Sequence, residues 1–261
     1  MTRSAIVTGG GTGIGAAIAR RLAADGFSVC ITGRRREPLD EVAAETGALA
    51  IVADTGDPAG AQNAVEAAKH AFGRLDLLVC NAGTGAGGTV EEQTPEGWDA
   101  VLRTNVTGAF LACRAALREL VDTKGSIVTI SSDSGLRAGP RSAAYCTAKA
   151  GLIMLTQCIA LDYGPLGVRA NCICPGWIRT PMADAEMDEL AGQKGTDREL
   201  AYELVSARVP LRRPGLPAEI AAAVAWLASE EAGFTTGAVI VIDGGNSIVD
   251  SSSMEFAGTG P

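Results

Sequence analysis

Short runs of Val, Ile, Leu and Ala recur along this chain, and between them the apolar positions fall three and four apart. The runs at 4–8, 28–32, 48–53, 75–80, 125–131, 168–173 and 239–242 are apolar at successive positions. Such strands need cover on both faces, as in a parallel sheet between helices. The segments 13–25, 37–46, 58–72, 95–120, 142–163 and 217–229 carry the helical period. Pro58, Pro95 and Pro217 stand where three of them begin, and a first helical turn tolerates proline because its N–H has no intrahelical partner. Alternation on this scale predicts an α/β fold: a Rossmann-type, doubly wound, seven-stranded and mostly parallel sheet with helices on both faces.

The rhythm predicts a single domain over residues 1–261, interrupted once. Residues 180–213 are polar, with Met182, Met187, Leu190, Tyr202, Leu204 and Val205 as scattered apolar points. One or two helices lying over the sheet as a substrate lid fit this stretch. Residues 247–261, with Ser251-Ser252-Ser253, read as a tail that is either disordered or docked on a neighbouring subunit.

Composition narrows the partners. A net charge of −8 weighs against nucleic acid, whose phosphates require a basic surface. No charged region followed by an apolar stretch opens the chain, and no apolar run approaches the length of a membrane span, so a cytoplasmic protein with no membrane partner is expected. The seven Cys include no C-x-x-C pair, and His70 is the only His. Buried reduced thiols are therefore expected, Cys172 and Cys174 sharing one strand face, and no metal site. Cys146 reads as a packed, inert thiol.

The sequence Thr8-Gly9-Gly10-Gly11-Thr12-Gly13-Ile14-Gly15 links the first strand to the first helix. Gly9, Thr12, Gly13, Ile14 and Gly15 in this context predict a dinucleotide site, because glycines admit a pyrophosphate and a helix N-terminus favours its charge. The second strand ends at Gly33, where a carboxylate would bind a ribose 2′-hydroxyl, and Arg34 follows. A guanidinium there suits a 2′-phosphate, so NADP is expected, with NAD as the alternative. Asp54 is a candidate acceptor for the adenine amino group or, equally, a cap for the turn around Pro58. Asn81, Ala82 and Gly83 close the fourth strand and leave room for a ribose.

Tyr145 and Lys149 lie four apart on one helix face. A phenol ordinarily titrates near pH 10; an adjacent ammonium would lower that value and make Tyr145 a proton carrier. Ser132, at the end of the fifth strand, can be brought to the same carbonyl oxygen. Residues 84–88 and 134–141, Trp177 and the lid are the expected pocket walls. Arg137 and Arg141 read as solvated loop charge, with binding of an anionic substrate group as the alternative.

Taken together, these segments resemble the short-chain dehydrogenase/reductase family, notably its 3-oxoacyl-[acyl-carrier-protein] reductase-like members. The resemblance runs from Thr8 to Gly245 and adds Asn105 in Arg103-Thr104-Asn105-Val106-Thr107-Gly108, Pro175-Gly176-Trp177-Ile178-Arg179-Thr180 and Ile242-Asp243-Gly244-Gly245. It implies that Tyr145 is general acid or base, that Ser132 holds the substrate oxygen, and that Lys149 binds ribose and tunes the phenol. It implies that Asn105 positions a relay water and that Pro175, Gly176, Ile178 and Thr180 line the nicotinamide. The expected function is NADP-dependent hydride transfer with a ketone or secondary alcohol, a 3-oxoacyl or cyclic, polyketide-like ketone among them. An NAD-dependent dehydrogenase of an alcohol or sugar is one alternative. A non-catalytic dinucleotide sensor is another, although a sensor has no chemical need of Asn105, Ser132, Tyr145 and Lys149 together. A homotetramer is implied by the same resemblance.

Overall fold

The computed structural model describes residues 2–85 and 87–250, so residues 251–261 of the expected tail lie outside the described residues. Seven strands form one parallel sheet in the order β3-β2-β1-β4-β5-β6-β7. They are β1 (Ser4–Thr8), β2 (Ser28–Gly33), β3 (Leu49–Val52), β4 (Leu77–Cys80), β5 (Ser126–Ile130), β6 (Arg169–Pro175) and β7 (Val239–Ile242). Helices α1 (Gly13–Ala24), α2 (Arg36–Thr46), α3 (Pro58–Phe72), α4 (Pro95–Leu102), α5 (Gly108–Thr123), α6 (Ala143–Tyr163) and α9 (Pro217–Leu227) surround it. The 180–213 stretch supplies α7 (Pro181–Lys194) and α8 (Arg198–Ser206).

Alternation along the strands divides the core into two layers. Ala5, Val7, Leu77 and Val79 join Ile18, Leu22, Ile220 and Val224 from α1 and α9. Ile6, Leu78 and Cys80 face Val65, Ala112, Ala116, Leu120 and Leu152 from α3, α5 and α6. Full burial of a side chain such as Ile6, Leu22 or Leu78 stabilises these layers by about 1.5–3 kcal/mol each. Strand order reverses between β1 and β4, so the crossovers leave in opposite directions and open a crevice at the carboxyl ends of those strands.

Two expectations change. The continuous helix expected over 95–120 is divided: α4 ends at Leu102, a π-helical turn occupies Arg103–Thr107, and α5 runs to Thr123. The cause is local. Asn105 Nδ2 donates to the Val101 carbonyl at 2.9 Å, occupying the acceptor that an α-helical N–H would use, and to Thr84 O at 2.8 Å. The second concerns membrane spans. The segment Ala143–Leu166 is long and apolar enough to cross a membrane by length and composition. Its Leu152 and Ile159 pack into the sheet layer while Met154 and Leu161 face outward, so apolar residues occupy both sides of a helix that lies on β5 and β6.

Candidate active site

The glycine turn follows β1. Gly9 and Gly13 adopt φ of +66° and +54°, a region that disfavours side chains. A Cβ at Gly15 would collide with the Gly9 carbonyl and come within 2.5 Å of Asn81 Nδ2. Thr12 precedes α1 in extended conformation, and its side chain caps none of the first-turn N–H groups, which leaves donors suited to an anion. Ile14 packs against the core layer of α1.

Asn81 braces this turn: its Nδ2 donates to Thr8 O at 3.0 Å and Gly9 O at 3.2 Å. The Asn81 and Ala82 amides both donate to Thr8 Oγ1, at 3.0 and 3.1 Å. The side chain expected to touch the dinucleotide therefore holds the cradle together. Gly33 ends β2, and Arg34 beyond it is exposed and forms no ion pair among the described residues. Asp54 lies two residues past β3 rather than closing it; it accepts the Gly56 amide at 2.9 Å and approaches Arg103 Nη2 at 3.5 Å. The cap before Pro58 is Asp57, which accepts the Ala59 amide at 3.2 Å.

The reacting groups meet over the ends of β4, β5 and β6. Ser132 follows β5, Tyr145 and Lys149 come from the first turns of α6, and the Ser132 hydroxyl acts on the Tyr145 phenol. Lys149 Nζ donates to Ile130 O at 2.9 Å and stands 5.6 Å from the centroid of the Tyr145 ring. Ser131 Oγ donates to Lys149 O at 2.7 Å and so ties the strand end to the helix. Asn105, 1% exposed, leaves its Oδ1 buried without a partner. A Cβ on Gly83 would lie 2.8 Å from that oxygen and 3.4 Å from Lys149 Nζ, so only glycine leaves the passage between them open.

Charge in the site departs from the expectation. Burial is the main cause that pushes the Tyr145 phenol up to about 12; the Ser132 hydrogen bond opposes it, while Glu186 and Asp133 add to it. Burial also lowers Lys149 to about 8. A phenol lowered by Lys149 is therefore not what the chain's own groups produce: desolvation and two carboxylates prevail. Cys172 and Cys174, both fully buried, oppose the lowering of Lys149. Cys146 Sγ accepts the Gly139 amide at 3.5 Å.

On the other side of the crevice, Pro175 ends β6 and Gly176 packs against Asp243, where a Cβ would come within 2.8 Å of the Asp243 Cβ. Ile178, 6% exposed, bridges Gly215 and belongs to the core layer. Thr180 caps α7 by accepting the Ala183 amide at 3.2 Å, and its Cβ stands 3.2 Å from the position of a Gly13 Cβ. The lid thus begins against the glycine turn. Trp177 packs with Met187 and Tyr202 in the lid's own small core. Arg141 pairs with Glu92 at 3.0 Å, and the charge of Arg137 acts on Asp243. Both arginines of the 134–141 loop therefore have carboxylates to answer.

Sequence reasoning missed Asp133, Asn246 and Glu186. Ser132 Oγ donates to Asp133 Oδ1 at 3.1 Å, and Asn246 Nδ2 donates to Asp133 Oδ2 at 2.8 Å. Adjacency to Ser132 was a signal for Asp133, whereas nothing in the spacing joins residue 246 to it.

A doubly wound sheet with a glycine cradle, an uncapped helix N-terminus and a partly buried Tyr–Lys–Ser–Asn cluster defines a nicotinamide dinucleotide oxidoreductase site. The family model described as "Enoyl-(Acyl carrier protein) reductase" matches residues 9–247, and the chain belongs to the short-chain dehydrogenase/reductase family. It is 44% identical over 260 residues to Protein MoaE of Klebsiella aerogenes, covering 98% of this chain and 100% of that one. Meso-2,3-butanediol dehydrogenase of Serratia marcescens is 34% identical over 248 residues, covering 94% of each chain. An actinorhodin polyketide ketoreductase solved with NADPH superposes with a TM-score of 0.90 at 31% identity, covering 95% of this chain and 98% of that one. The protein is an NAD(P)-dependent oxidoreductase.

Proposed function

We propose that this enzyme is an NADP-dependent ketoreductase, with Tyr145 as the proton donor to a ketone oxygen. The observation that carries the reading is the assembly of Tyr145, Ser132, Lys149 and Asn105 around one crevice beside the glycine cradle. A bound nicotinamide dinucleotide supplies the hydride chemistry. The protein's part is to bind, orient and move a proton. Ser132 holds the ketone oxygen by turning its one hydroxyl proton to it from Asp133 Oδ1, the acceptor that Asn246 fixes and that takes this proton in the free site. Lys149 binds ribose hydroxyls, and the partnerless Asn105 Oδ1 holds a water through which Lys149 returns a proton to Tyr145. Gly9, Thr12, Gly13, Ile14 and Gly15 receive the pyrophosphate, while Ala82, Gly83, Pro175, Gly176, Ile178 and Thr180 border the rest of the dinucleotide. Trp177 forms part of the substrate wall.

The protonation state of Tyr145 supports the reading as a reductase. A phenol raised to about 12 keeps its proton near neutrality, which is the state a general acid needs. Arg34, exposed and free of ion pairs among the described residues, supports NADP over NAD through a 2′-phosphate. The substrate is read as an uncharged ketone, a cyclic or polyketide-like one or a 3-oxoacyl thioester, because Glu186 and Asp133 put negative charge near the phenol. A homotetramer belongs to the same reading, supported by exposed Phe110 on α5, Met154 and Leu161 on α6, and Phe234 before β7. The test is Tyr145→Phe with a ketone panel followed by nicotinamide absorbance. Turnover should fall by about two to four orders of magnitude while dinucleotide affinity stays near wild type. Unchanged turnover would refute the assignment.

A further inference from the structure

Arg179 stands between Ile178 and Thr180, yet its side chain reaches α8. Its two terminal nitrogens donate to both oxygens of Glu199, at 2.8 and 2.5 Å. Its guanidinium carbon lies 4.4 Å over the centroid of the Tyr202 ring. Tyr202 is 1% exposed, and its hydroxyl donates to Asp184 Oδ1 at 2.8 Å. Asp184 is on α7, Tyr202 and Glu199 are on α8, and the Asp184 amide donates to Thr180 O at 2.8 Å. The main chain around Arg179 is pinned as well: its N–H donates to Gly215 O at 3.0 Å, and the Gly215 N–H donates to Trp177 O at 2.8 Å. The Arg179 side chain therefore joins the strip 177–180 to helix α8, and Tyr202 carries the link on to helix α7 through Asp184.

We propose that Arg179 is a positioning residue that locks the lid helices to the Ile178–Thr180 strip, so that strip and lid hold one place as dinucleotide binds. The inference rests on the dinucleotide-binding reading of that strip. An exposed ion pair alone would do little of this work. The fixed point here is the fully buried Tyr202, and a planar guanidinium can stack on its ring while both oxygens of Glu199 accept from its edge. An ammonium offers one compact charge and cannot satisfy both partners at once. Arg198 provides the contrast. It joins α8 to α7 through Asp188, at 2.7 and 2.6 Å, and through Asp184 at 3.7 Å, and has no bond to the strip among the described residues.

The experiment uses the full chain and measures NADPH affinity by nicotinamide fluorescence, kcat at saturating NADPH, and hydrogen exchange. Arg179→Ala should weaken NADPH binding about tenfold, equal to about 1.4 kcal/mol, and leave kcat and its pH profile within about twofold. Amides of 176–180 and of α7 and α8 should exchange about tenfold faster. Arg179→Lys should recover only part of the affinity, and Arg198→Ala should stay within about twofold of wild type. If Arg179→Ala does not fold, Glu199→Gln should show the same direction with a loss of about threefold. Native affinity and native exchange in a folded Arg179→Ala protein would overturn the proposal, as would equal losses in Arg198→Ala or a loss confined to kcat. If the wild-type chain binds no nicotinamide dinucleotide, the functional reading fails, while hydrogen exchange still decides whether Arg179 locks the lid.

Discussion

Lys149 carries an ammonium into a buried site. The group is fully buried, its hydrogen bond to Ile130 O is one of few polar contacts, and burial lowers its pKa from 10.5 to about 8. That drop is worth about 3 kcal/mol. The folded pKa lies below the unfolded one, so between about pH 8 and 10.5 the unfolded chain binds the extra proton. The penalty is fully present below pH 8 and is relieved as pH rises to 10.5. Lys149→Met removes the charge at similar volume but leaves the Ile130 carbonyl short of a donor, a cost of about 1–3 kcal/mol that does not vary with pH. The informative quantity is therefore the difference between variant and wild type measured by urea unfolding at pH 7 and again at pH 10. The advantage of the variant should shrink by about 2–3 kcal/mol between the two, as the wild type loses its buried charge. Turnover should be abolished at both. A stability gap that is the same at pH 7 and pH 10 would show that Lys149 is hydrated or otherwise compensated, and the account of the site's electrostatics would fall.

Two further outcomes follow from the cradle. Gly15→Ala sets a methyl against the Gly9 carbonyl and Asn81 Nδ2, so it should weaken NADPH binding by at least about tenfold and lower the melting temperature. Calorimetric titration and a thermal melt would check this. Arg34→Ala should reduce NADPH affinity about 10- to 100-fold through loss of a charge-assisted bond, with NADH affinity nearly unchanged. Equal losses for both dinucleotides would remove Arg34 from 2′-phosphate recognition.

Much of the fold was legible because buried parallel strands and their cover helices leave different apolar periods. The seven strands appear where their runs lie, with ends shifted by one or two residues, since strand ends depend on pairing partners rather than on apolarity. The break after Leu102 was not legible. Asn105 looked like one polar position in a helical pattern, and only its reach to Val101 O and Thr84 O turns that stretch into a π-helical turn. Asp54 read in the sequence as an adenine acceptor or a cap around Pro58; in the structure the cap is Asp57, and Asp54 accepts the Gly56 amide.

The chemistry divides in the same way. Spacing placed Tyr145 and Lys149 on one helix face, and the glycine turn marked the dinucleotide site, because a four-residue step and a φ above zero are local properties. Long-range contacts decided the rest. The protonation of Tyr145 depends on burial and on Glu186 from the lid. The orientation of Ser132 depends on Asn246, 113 residues from Asp133. The strip from Ile178 to Thr180 is held by Glu199 and Tyr202. The sequence by itself determined which groups the enzyme has and the order in which the chain presents them. Their charge states and mutual orientation were decided only by the tertiary structure, because desolvation and Coulomb forces act between groups that are near in space, whatever their separation along the chain.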